Sequence, residues 1–129
     1  MKRHPQLQDL SREHHGALKL ARAARQAVES GNAENVAALA RRVVQIFAAE
    51  LDPHFCEEER CILVSLAQAG EHALVQRTLK EHEELRTLAS ALSCADAGTL
   101  LRFADLLALH VRFEERELFE AAQSLMVAA

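Results

Sequence analysis

The sequence predicts an all-α protein, an up-down-up-down four-helix bundle, on three observations. Half of its 129 residues are hydrophobic, yet it has only four glycines and two prolines. Ala, Leu, Arg and Glu dominate, and these are good helix formers. Three breaks, at Ser30-Gly31-Asn32, Gly70 and Ser93-Cys94-Ala95-Asp96-Ala97-Gly98, divide the chain into four segments. Within each segment apolar residues recur at three- and four-residue steps, the period of a helix with one buried face. Connections this short force neighbouring helices to run antiparallel. The length suits a single domain, 1–129, around one core.

The first helix is expected over 6–30, with a stripe of Leu7, Leu10, His14, Ala17, Leu18, Ala21 and Val28. His15 falls instead among Ser11, Arg12, Lys19 and Arg22, an outward face. Gly31 can end this helix and Asn32 can cap the next. The second helix, 33–68, carries Val43, Phe47, Leu51, His54, Glu58, Cys61 or Ile62, and Ser65 on its stripe. Pro53 lies well inside it, removes one backbone donor and crowds the preceding turn, so a kink or restart is expected near 50–53. The third helix, 71–92, presents Val75, Leu79, His82, Leu85, Ala89 and Leu92. The fourth, 96–126, presents Phe103, Leu107, His110, Glu114, Leu118 and Ala121.

The charge pattern excludes several function classes. Fifteen basic and 19 acidic residues are mixed along the chain for a net charge of −4, with no basic stripe for nucleic acid. No apolar run approaches the ~20 residues of a membrane span. The start, Met1-Lys2-Arg3-His4-Pro5, leads into polar residues rather than a signal-peptide apolar segment, so the expected location is cytoplasmic. Cys56, Cys61 and Cys94 are odd in number and form no C-x-x-C pair, which reads as reduced thiols.

Six polar groups occupy positions that the helical stripes assign to the core: His14, His54, Glu58, His82, His110 and Glu114. Burying them is costly unless they are paired or bound to metal. Two H-x-x-x-E matches mean little alone, because about one arises by chance in a chain this rich in Glu. Their placement on apolar stripes, with lone histidines on the other two helices, is the stronger signal. His82 lies 28 residues from both His54 and His110, and His14 lies 40 before His54, spacings that return each group to a similar height in an antiparallel bundle. The six are therefore read as metal ligands. They are too many for one tetrahedral zinc and suit two first-row ions bridged by the glutamates, with water or hydroxide between them. The histidine content favours iron over manganese. His4 and His72 are assigned no role. Glu57, Glu59, Glu115 and Glu117 are expected on solvated faces, paired with Arg60, Arg112 and Arg116. Glu50, one turn before His54, is read as an outer acceptor or an extra ligand. Cys61 either approaches the site or is a small core residue.

Four segments carry a family resemblance: Leu10-Ser11-Arg12-Glu13-His14-His15-Gly16-Ala17-Leu18, His54-Phe55-Cys56-Glu57-Glu58-Glu59, Glu81-His82-Glu83-Glu84-Leu85, and His110 through Phe119. In this order they resemble the hemerythrin-like, HHE cation-binding family, over essentially the whole chain. The resemblance implies a four-helix bundle holding a non-heme di-iron centre, two Fe ions with oxo, hydroxo or carboxylate bridges. His14, His54, His82 and His110 would be terminal ligands, and Glu58 and Glu114 the bridging carboxylates. Oxygen-carrying hemerythrins have H-x-x-x-H on the third helix, where Thr78 and Arg86 flank His82 here. Their last helix has an aspartate five residues after its histidine, where Glu114 follows His110 by four. The chain thus matches the broader bacterial and regulatory members better than the respiratory carriers. The expected function is binding or sensing of a small diatomic ligand, O2 or NO, or of iron. The alternatives are a peroxidase- or oxidase-like di-iron enzyme, an iron-supplying repair factor, or a metal-free helical interaction module. A ferritin-like reading is disfavoured by the absence of Glu-x-x-His. No protein-partner surface is readable.

Overall fold

His4 caps the first helix, its Nδ1 accepting from the Gln6 backbone N–H, and Pro5 opens it where a missing donor costs nothing. A computed structural model describes residues 3–94 and 96–128, with side chains as far as Met126. Helix α1 spans Pro5–Glu29 and ends where Gly31 takes the left-handed conformation, φ 66°. The Asn32 side chain then accepts from the N–H groups of Glu34 and Asn35 and starts α2. Helix α2 covers 33–68 and α3 spans His72–Ala91, with Gly70 at φ 87° between them. A 3-10 turn, Leu92–Cys94, closes α3. Ala95, part of the expected third break, lies outside the described residues. Asp96 caps α4, which covers 97–128. No strand occurs among the described residues.

The buried apolar residues fall into two clusters. One contains Ala17, Leu20, Val43, Phe47, Phe55, Leu85, Phe103 and Leu107. The other contains Leu7, Leu10, Ile62, Leu66, Phe113, Leu118 and Phe119. Helix α1 passes from the second cluster into the first, α2 returns, and α4 runs from the first to the second, while α3 goes from its partly buried Val75 beside the second to Leu85 in the first. This is the up-down-up-down order. The six polar groups sit where each helix crosses from one cluster to the other.

Pro53 does not break α2. The turn before it, Phe47–Leu51, widens to π-helical bonding, with the Asp52 N–H donating to the Phe47 carbonyl, and the helix carries on through the proline. Two further π turns open on acidic members of the predicted site, Glu58–Ile62 in α2 and Glu114–Leu118 in α4. A π turn adds one residue and so advances the buried face by about 100°. Beyond Glu58 the core positions are accordingly Ile62, Leu63 and Leu66, while Cys61 and Ser65 are exposed. Beyond Glu114 they are Leu118, Phe119 and Ala122, with Ala121 only half-buried. On α3 the expected Leu79 is 43% exposed and Thr78 is buried in its place. Both flank His82 by one turn, and Thr78 needs nothing from the core because its hydroxyl donates to the Leu74 carbonyl at 2.8 Å.

Candidate metal centre

Each of the six predicted groups is buried, and the structure brings them together. His14 comes from α1, His54 and Glu58 from α2, His82 from α3, and His110 and Glu114 from α4. They form two overlapping sets of potential metal ligands, one of His14, His54, Glu58 and Glu114, the other of Glu58, His82, His110 and Glu114. The ligand atoms within each set lie within 4.8 Å of one another, and the two glutamates belong to both.

The carboxylates divide their oxygens between the histidine pairs. Glu58 Oε2 lies 3.2 Å from His54 Nε2 and Glu58 Oε1 lies 3.1 Å from His82 Nε2. Glu114 Oε1 lies 2.8 Å from His14 Nε2, and Glu114 Oε2 lies 3.0 Å from His110 Nε2. Despite these short distances, His54 Nε2, His82 Nε2, His110 Nε2, both oxygens of Glu58 and Glu114 Oε2 are buried without an aligned hydrogen-bond partner. Buried polar atoms are rarely left so. Here the orphans converge on two points. Imidazole nitrogen with carboxylate oxygen is a donor set suited to first-row transition metals, and each of the two sets could hold such a cation.

The electrostatics agree. Burial, reinforced by the charge of Glu114, pushes the Glu58 carboxyl well above its usual range. Burial also raises Glu114, but the imidazoles of His110, His14 and His54 outweigh it and hold that carboxyl well below its usual range. Burial works against a charged His110, yet the Glu114 and Glu81 carboxylates raise it to about 9. His14 is raised in the same way, against its burial, by Glu114 and Glu115. Without metal, burial and these charges favour a proton on Glu58, His110 and His14.

Four further glutamates complete the site. His14 Nδ1 donates to Glu115 Oε2 at 2.6 Å, and His54 Nδ1 to Glu13 Oε1 at 2.6 Å. His82 Nδ1 donates to Glu59 Oε2 at 2.8 Å, and His110 Nδ1 to Glu81 Oε1 at 2.7 Å. Each bond holds a proton on Nδ1 and turns Nε2 toward the centre, where that of His14 meets Glu114 Oε1 at 2.8 Å, the usual arrangement behind a metal-bound imidazole. The donors and acceptors form a closed ring: α1 supports the histidine of α2, α2 that of α3, α3 that of α4, and α4 that of α1. Two of these, Glu59 and Glu115, were expected on solvated faces. The expectation fails because their partners lie on other helices, 23 and 101 residues away. Glu13 and Glu81 went unassigned. The one sequence signal they share is adjacency to a member of the inner six, which Glu57 and Glu83 share too, so it does not single them out.

The remaining assignments divide. Glu57 does pair with Arg60, at 2.5 Å on the surface. Glu117 meets Arg77 at 3.6 Å rather than any of the expected arginines. His15 is exposed, as expected, and Glu50 is also exposed and belongs to neither ligand set. Cys61 is neither at the site nor in the core, its exposed thiol lying 3.5 Å from Glu57. Aromatic rings wall the centre: Phe55 stacks on His82 with centroids 4.0 Å apart, and Phe119 stacks on His14 at 5.1 Å.

No helix of the described residues is long and apolar enough to cross a membrane. No curated protein and no solved structure matches the chain. The family comparison agrees with the geometry: residues 6–122, nearly the whole chain, match the Hemerythrin HHE cation binding domain, and the protein belongs to that family.

Proposed function

We propose that this protein holds two iron ions and uses them to bind or sense a small diatomic ligand, O2 or NO. The observation that carries the reading is the division of the Glu58 and Glu114 oxygens between two histidine pairs. In it, His14 and His54 hold one ion, His82 and His110 the other, and the two carboxylates bridge them. An iron pair supplies electron exchange and open coordination positions for a diatomic molecule. The chain's own residues do the rest. Four protein donors at each position leave room for an added ligand on a first-row ion. The imidazoles are locked by their outer carboxylates, so the centre keeps its shape when the charge on the metal changes. Phe55, Phe119 and Phe113 present an apolar wall that limits water around the histidines. Three free, exposed cysteines suit a reducing compartment, and we place the protein in the cytoplasm on that ground.

A catalytic reading, peroxidase- or oxidase-like, has one observation in its favour. The groove between α1 and α2 has a volume of about 1220 Å³, far more than a diatomic ligand needs. Product formation on adding peroxide separates the two, since a carrier or sensor binds stoichiometrically without turnover.

The test is elemental analysis of protein purified without air, with optical spectra before and after exposure to it. Two irons per chain and a near-ultraviolet charge-transfer band after air support the proposal. Zinc at one ion per chain overturns it.

A further inference from the structure

The two candidate metal positions have the same inner composition, two histidines and the two shared glutamates. What surrounds them differs. Glu59 is gripped by Arg86, Nη1 to Oε2 at 3.0 Å, and Glu81 by Arg77, Nε to Oε2 at 3.0 Å. Glu115 accepts from the Ser11 hydroxyl at 2.8 Å and pairs with Arg3 at 3.4 Å. Glu13, behind His54, meets no Lys or Arg among the described residues, and its side chain is 57% exposed. The histidine it supports is also the only one of the six inner groups that lines the α1–α2 groove, beside Glu13 itself, Phe55 and Val111. The side chains of His82 and His110 are 0% and 1% exposed, against 5% and 4% for His14 and His54.

We infer that the two positions are unequal: a divalent cation at His14–His54 exchanges through the α1–α2 groove, while the one at His82–His110 is retained. The inference rests on the paired-metal reading above and adds which half is labile. Losing an ion requires water to reach it and a ligand ring to swing away. At His82 and His110 both rings are tied to carboxylates that arginines hold in place, and neither residue lines the groove. At His54 the ring is tied to a solvated carboxylate with no Lys or Arg partner among the described residues, and the groove opens to its edge. Outer hydrogen-bond partners typically govern about 10- to 100-fold in metal affinity, enough to separate two otherwise equal positions.

The experiment titrates Co2+, whose visible bands report its ligands, into the metal-free full chain, and then challenges the loaded protein with a chelator. The expected result is two ions per chain taken up in two phases, with one ion released fast and one slowly. Glu13→Gln should weaken the weaker phase by about 10- to 100-fold and leave the stronger phase and its spectrum unchanged. Glu81→Gln should act on the stronger phase instead. Two ions with one shared affinity and one release rate overturn the inference, as does a Glu13→Gln effect equal on both phases. Because the chelator kinetics are read on the unaltered protein, poor folding of Glu81→Gln leaves the test intact. A single ion per chain is a different failure: it overturns the paired reading itself.

Discussion

An imidazole that presents a bare Nε2 to a cation needs its proton held on Nδ1, and each of the four histidines has a carboxylate placed to do so. Glu58 and Glu114 have a different task, since each faces both histidine pairs. Their loss is expected to matter most: Glu58→Ala or Glu114→Ala should remove most of the bound metal, whereas His15→Ala, on the exposed face, should leave it unchanged. Metal content by elemental analysis checks this, and equal losses in all three would contradict it. A pH dependence follows from His110. Despite the burial that opposes its charge, Glu114 and Glu81 raise it from 6.5 to about 9 in the metal-free protein. The folded chain therefore keeps a proton that the unfolded chain releases, a stabilisation complete below about pH 6.5 and lost as pH rises through about 9. Glu58, raised by burial and by Glu114, contributes with the same sign. Metal-free protein should thus melt at a lower temperature at pH 9 than at pH 6.5, and metal, by displacing the protons, should flatten that slope. Thermal melts at the two pH values, with and without chelator, read both effects.

At the scale of the helix, two π turns set which residues α2 and α4 bury in the second apolar cluster. Glu58–Ile62 and Glu114–Leu118 each begin on a carboxylate that faces both histidine pairs. The added residue lets His54 and Glu58, or His110 and Glu114, face the centre while Leu66 or Phe119 still reaches the core beyond. Deleting Arg116, an exposed residue inside the second of these π turns, should restore ordinary helical pitch and leave Phe119 and Ala122 facing the core, whereas deleting the exposed Arg102, where α4 is already regular, should turn the residues on one side of it by about 100°. The Arg102 deletion should cost about as much as removing a buried Phe, ~3–5 kcal/mol, and the Arg116 deletion much less, measured by denaturant unfolding. Equal losses in the two deletions would show that the π turn does not set the packing. Pro53 illustrates the same plasticity. The sequence flags a local disturbance, but whether the chain breaks, bends or widens depends on what the neighbouring helices demand. Here Phe47, Leu51 and Phe55 must all stay buried, and a widened turn achieves that without a break.

Across the whole molecule, a polar belt separates two apolar clusters, and the bundle depends on that belt being neutralised. The buried orphan atoms of the inner six are costly without a cation. Removing metal should therefore lower the melting temperature. A divalent ion at 100 times its Kd stabilises the fold by about 2.7 kcal/mol for each site. Melting with and without a chelator measures this directly, and an unchanged melting temperature would favour a metal-free interaction module.

The helices, their order and the inner six were legible in the sequence because helical periodicity is local. A histidine on an apolar stripe declares its direction from residues within two turns of it. The outer ring was not legible. Glu13, Glu59, Glu81 and Glu115 look like any charged residue at the edge of a helical face, and their roles depend on helices brought alongside by the fold. Nor could Ser65 and Leu79 be placed, since a π turn moves the first off the core face and the choice between Thr78 and Leu79 is made by the packing of α3. What the chain determined by itself was therefore a four-helix bundle with an imidazole and carboxylate centre. The tertiary structure alone decided how the carboxylate oxygens divide and which helix supports which histidine, because hydrogen bonds form through space between residues that the sequence keeps far apart.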